Sequence, residues 1–212
     1  MSNDVAYPVF RTSDPALALR TARRLMEFGR CEHSKVSAYT ELSSVAEVRR
    51  MAKAIPEPEG RFCGAFELEE VEEIPFEDLP ALVAGVPASG LPTEAAAFEG
   101  RLPVEWEVWN LPIGHIEDVF TAAIGPNVGS IHWESLQWPD APEAGFNGES
   151  KHAEVTLVFN AHKLELDKPT DDHTVFVHVR SAVHNGLQSR EPYAHWLAAQ
   201  LGLTVIGPAQ RP

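Results

Sequence analysis

The stretch Val104-Glu105-Trp106-Glu107-Val108-Trp109 sets Val104, Trp106 and Val108 against Glu105, Glu107 and Trp109. Neighbouring side chains on an extended chain point to opposite faces, so this period of two predicts a strand with one face in a core. Downstream, a brief helix is expected over Ile116 to Ala123 and an extended segment over Ser130 to Trp138, with a loop from Pro139 to Gly148. Ala153 to Phe159 and Thr174 to Val179 are β-branched and aromatic runs that read as central strands. Ser189 opens a helix with Tyr193, Trp196, Leu197 and Leu201 on one face, Gly202 closes it, and Leu203 to Ile206 reads as a last strand. The order β-α-β-β-β-α-β predicts an α+β fold, with antiparallel or mixed sheets and helices packed on one face.

Upstream, Ala6 to Arg11 reads as a strand, and Thr12-Ser13-Asp14-Pro15 supplies a capping oxygen and a first-turn proline for a helix reaching Phe28. Gly29 is expected to stop that helix in the left-handed conformation. Lys35 to Thr40 follows as a strand. Ser44 and Glu47 form a capping box before Val45, Val48, Ala52 and Ile55, which share one helical stripe with Met51 beside it. Pro56 and Pro58 end that helix, Phe62 to Val71 reads as a strand, and Phe76 to Val83 as a short helix. Glycine and proline crowd into residues 85–98, which therefore read as a linker or loop. The expected division is an N-terminal α/β unit at 1–84, the linker, and a strand-rich unit at 99–212, with one continuous domain as the alternative.

Of 212 residues, 44% are hydrophobic, and 31 acidic side chains outnumber 17 basic ones for a formal charge of −14. Such a chain can bury a core, so disorder is disfavoured. No apolar run is long enough to span a bilayer, and the first residues lack a secretory pattern, so a cytoplasmic location is expected. Sparse lysine and arginine argue against direct contact with nucleic acid or an anionic membrane surface. Cys31 and Cys63 read as two buried thiols, not as a disulfide framework.

Two features bear on chemistry. His132 and His178 each sit in an expected strand, and histidines on neighbouring strands can act as general base and acid in phosphodiester chemistry. Two-histidine phosphodiesterases place Ser or Thr two residues after each histidine, where this chain has Glu134 and Arg180. Asp171, Asp172 and His173, with His178 and His184 downstream, fit no recognised ligand spacing, so neither a metal nor a cofactor is expected. The second feature is an acidic run: Glu57, Glu59, Glu67, Glu69, Glu70, Glu72, Glu73, Glu77 and Asp78 against the single base Arg61. Interleaved with Phe62, Phe66, Leu68, Val71 and Ile74, it should be fixed on folded backbone as a negative surface that steers a basic partner. Trp106 and Trp109 stand at opposite parity, as do Trp133 and Trp138, so one of each pair faces out unless a second layer covers it. Trp109 is the candidate anchor.

The reading favours an acidic, non-catalytic binding protein that covers a basic partner protein, in the manner of an inhibitor or immunity protein for a toxin or nuclease. A hydrolase or phosphodiesterase using the strand histidines, and a structural subunit of an assembly, are the alternatives.

Overall fold

A computed structural model describes residues 4–55, 60–63, 85–144, 146, 148, 153–180 and 191–211. Strand β1 (Asp4–Thr12), helix α1 (Pro15–Phe28), β2 (Lys35–Leu42), α2 (Val45–Ala54) and β3 (Arg61–Cys63) come first in the chain. After two short 3-10 turns come β4 (Val104–Leu111), α3 (Glu117–Ile124), β5 (Gly129–Glu134), β6 (Glu154–Phe159), β7 (His173–Arg180) and α4 (Glu191–Gln200).

The seven strands form one antiparallel sheet in the order β1-β7-β6-β5-β2-β4-β3, so strands from either side of residues 85–98 alternate within it. The helices pack along one face. Their apolar stripes meet the core-facing set of each strand, including Val36, Val104, Trp106, Ile131, Trp133, Val155, Leu157, Val175 and Val177. Phe120 of α3 is stacked on Trp106 at 5.4 Å between ring centres and meets Phe159 edge-on at 5.8 Å, a geometry that adds to the area term.

The local signals act as expected at both early helices. Asp14 accepts from the backbone N–H groups of Ala16 and Leu17, and Ser44 and Glu47 close the reciprocal capping box. Three expectations need correction. Gly29 has a φ of −75°, not a left-handed one; a Cβ there would stand 3.2 Å from the buried Trp138 ring, so close packing is what the position requires. Leu203 to Ile206 is not a strand: the tail lies along the outer edge of β1, where Ile206 N–H donates to the Pro8 carbonyl and Ala6 exchanges backbone bonds with Gln210. Cys31 is exposed, while Cys63 is buried.

Residues 85–98 are anchored to the core at Leu91 and Phe98, with much of the stretch between them exposed. Phe98 is buried under the Arg49 guanidinium, 5.5 Å from its ring centre, and Arg49 also donates to the Pro92 and Thr93 carbonyls. Of the expected strand at Phe62 to Val71, only the part up to Cys63 is described, and the expected helix at Phe76 to Val83 lies outside the described residues. Among the described residues, no helix is long and apolar enough to cross a membrane.

The sheet's second face is covered over only part of its area. Ala6, Val158 and Phe176 form a small apolar cluster with Ala161, against which Val128, Leu164 and Leu166 pack. The connection between β6 and β7 therefore roofs the β1 side of this face. β6 and β7 are buried on both faces there, which is why they read as continuous apolar runs in sequence. Toward β5, β2 and β4 this cover ends among the described residues, leaving Glu41 and Trp109 exposed.

Candidate functional site

Strand parity alone fixes which side chains line this second face. β4 offers Glu105, Glu107 and Trp109; β2 offers Ser37, Tyr39 and Glu41; β5 offers Ser130, His132 and Glu134. Glu154, Thr156 and His178 continue it across β6 and β7. Between this floor and the loop bearing Leu164 to Asp167 lies a groove of about 670 Å3. Glu41, Glu134, Glu165 and Asp167 line it, together with Trp109 and His132, and among the described residues no lysine or arginine lines it. Lys35 opposite Glu134 and Arg61 opposite Glu107 stand on the same face outside the groove, and Lys163 lies 3.7 Å from Glu165.

The negative field shows in its neighbours. Burial, reinforced by the charges of Glu105 and Glu41, pushes the Tyr39 phenol up to about 12. Burial and the Glu154 charge push Glu134 upward. Trp109, 54% exposed, presents an apolar ring beside these carboxylates, whereas Trp106 is in the core. Trp133 and Trp138 are both buried: β5 ends at Glu134 and Ser135 takes a φ of +58°, which breaks the parity that would have turned one of them outward.

The floor carries one connected hydrogen-bond chain. His132 Nδ1 lies 2.8 Å from Glu154 Oε1, and His132 Nε2 lies 2.9 Å from Ser130 Oγ. Thr156 Oγ1 donates to Glu154 Oε1 at 3.0 Å and stands 2.8 Å from His178 Nε2. Burial pushes Glu154 up, but His178, His132 and Thr156 together outweigh it and hold the carboxyl at about 2. An ionised carboxylate only accepts, so His132 Nδ1 carries the proton and Nε2 is free to accept from Ser130. Burial pushes His178 down, against the attraction of Glu154; Thr156, whose single hydroxyl proton goes to Glu154, accepts from His178 Nε2–H.

The two histidines are thus brought together, although on β5 and β7 with β6 between them, not on adjacent strands. They are not equivalent: the His132 side chain is 33% exposed at the groove and that of His178 is 2% exposed beneath it. His173 is buried on the helix face, where Nδ1 accepts from Asn160 N–H; Asp172 pairs instead with His162 at 3.2 Å. His184 lies outside the described residues, and among the described ones no group of three histidine, cysteine or acidic side chains could hold a metal ion. The acidic run, from Glu57 and Glu59 through Glu67, Glu69, Glu70, Glu72, Glu73, Glu77 and Asp78, also lies outside the described residues.

Ser130, Glu154, Thr156, Tyr39 and Glu41 belong to the site but were not singled out in the sequence. Alternation within each strand marks their face; nothing local marks which strands adjoin. Comparison with protein-family models, with curated protein sequences and with solved structures finds no match for this chain.

Proposed function

We propose that this protein is an acidic binding protein whose groove on the sheet's second face receives a cationic segment of a partner protein, in the way an inhibitor covers a basic site. The observation that carries the reading is the pairing of exposed Trp109 with Glu41, Glu134, Glu165 and Asp167 around a groove that, among the described residues, no lysine or arginine lines. Carboxylates in a concave, partly desolvated surface focus negative potential, and an aromatic face beside them adds cation–π attraction for a guanidinium or ammonium group. Strands β2, β4 and β5 hold Glu41, Trp109 and Glu134 in place, so little ordering of these three is needed on binding, while Glu165 and Asp167 come from the β6–β7 loop. The same field opposes an approaching phosphate, which weighs against phosphodiester chemistry at His132 and His178.

A hexa-arginine peptide is the direct probe, titrated by calorimetry at low and physiological salt, with a hexaglutamate peptide as control. Affinity for the basic peptide should fall with salt, and Trp109→Ala or the pair Glu41→Gln and Glu134→Gln should each weaken it about tenfold, equivalent to about 1.4 kcal/mol. Glu27→Gln, which removes one exposed charge from helix α1, should have little effect. Equal losses from the groove and α1 substitutions would show that only net charge attracts the peptide and would remove the groove reading.

A further inference from the structure

We infer that Ser130, His132 and Glu154 form a nucleophilic triad at the floor of the groove, able to accept the acyl group of a small cationic ester. The geometry is that of a nucleophile on its base and the base on its orienting carboxylate, with Ser130 Oγ to His132 Nε2 at 2.9 Å and His132 Nδ1 to Glu154 Oε1 at 2.8 Å. Such triads are recognised by geometry and roles, not by order in the sequence. Here two members stand two residues apart on β5 and therefore share a face, and the third comes from β6 beside them. Ser130, 4% exposed, and His132 both line the groove, so the hydroxyl and its base stand together at its floor.

In the first step Ser130 Oγ adds to the ester carbonyl carbon while its proton passes to His132 Nε2. The bond to the leaving alcohol oxygen then breaks, and that oxygen takes the proton from His132. Water repeats the sequence on the acyl-serine, releasing the carboxylic acid and restoring the hydroxyl. Glu154 is a positioning residue: it fixes the tautomer and stabilises the imidazolium. The substrate's charge follows from the groove reading above. Glu41 and Glu134 repel the oxyanion of a neutral ester, whereas a substrate carrying its own ammonium group offsets that repulsion and is held beside Trp109.

The test begins with an uncharged fluorophosphonate, on which Ser130 Oγ forms a bond to phosphorus as fluoride leaves, so labelling does not depend on the groove's charge. Mass spectrometry of the folded wild-type chain should place the adduct on Ser130; Ser130→Ala should abolish it, and His132→Gln should slow it at least about tenfold. Glu154→Gln should slow labelling at least about tenfold and Glu154→Asp, which keeps a carboxylate for His132 Nδ1–H, should restore part of the rate, with both variants retaining the wild-type denaturation midpoint. A purely structural Glu154 would instead lower that midpoint and leave the labelling rate of the folded protein in place. An unmodified Ser130 under conditions that label chymotrypsin would overturn the triad, whatever the fate of the peptide-binding reading. Hydrolysis of acetylcholine should exceed that of its uncharged isostere 3,3-dimethylbutyl acetate in kcat/KM by at least about tenfold; equal values would overturn the cationic substrate class while leaving the labelled serine standing.

Discussion

Glu154 Oε1 lies 3.8 Å from Nε2 of His178, a ring whose side chain is 2% exposed. The pair couples stability to pH with a definite sign. His178 and His173 are both held below the ordinary value of 6.5 by burial, so the unfolded chain binds more protons than the folded one as the pH falls past 6.5. Their contribution is complete above that value and declines below it. Glu154, lowered from 4.5 to about 2, adds stability that is complete above 4.5 and is lost between there and about 2. Thermal unfolding followed by circular dichroism should show Tm falling from pH 7.5 to about 5, and His178→Gln should flatten that part of the curve. A Tm that rises on acidification over this range would contradict the arrangement.

A fully buried carboxylate supports the turn before α3. Glu117 accepts from Gly114 N–H at 2.8 Å, Ile116 N–H at 3.2 Å and Trp133 Nε1–H at 3.1 Å. Glu117→Ala leaves the buried Ile116 and Trp133 donors without their acceptor and should cost about 3 kcal/mol in chemical denaturation. Glu117→Gln should cost less, since one amide oxygen still accepts.

Gly129 stands opposite Thr40 where β5 pairs with β2. A Cβ there would lie 2.5 Å from the Tyr39 carbonyl oxygen and 2.8 Å from the Ile124 side chain. Backbone cannot yield as a flexible side chain can, so Gly129→Ala should destabilise by about 2–3 kcal/mol. It should also disturb Ser130, the next residue, and lower the midpoint of denaturant unfolding with little change in slope.

Trp109 gives the opposite pattern. With about half its surface in solvent, Trp109→Ala should change stability by no more than about 1 kcal/mol while removing the apolar wall of the groove. Unfolding by denaturant and peptide titration on the same preparation separate the two effects, and a large stability loss would show that the ring is structural.

The strand at Val104 to Trp109, the capped starts of α1 and α2, and the continuous apolar character of β6 and β7 were all legible in the sequence, because each is set by neighbours a few residues apart. Short-range physics also sorted Trp106 inward and Trp109 outward. It could not do the same for Trp133 and Trp138, since the left-handed residue at Ser135 resets the parity between them. Nor could it recover the tail along β1 or the anchored residues 85–98, which are held by partners distant in the chain.

The groove belongs wholly to tertiary structure. Ser130 and His132 share a face by alternation, but Glu154 reaches them only because β6 pairs with β5 in a register that sets His132 against Thr156. That register is chosen by the apolar set facing the helices: a slip of one residue would turn Val155 and Leu157 out of the core and Glu154 into it. The sequence by itself determined the elements and their buried faces. Strand order and register, which depend on burial summed over the entire sheet, decided which polar residues meet on the other side.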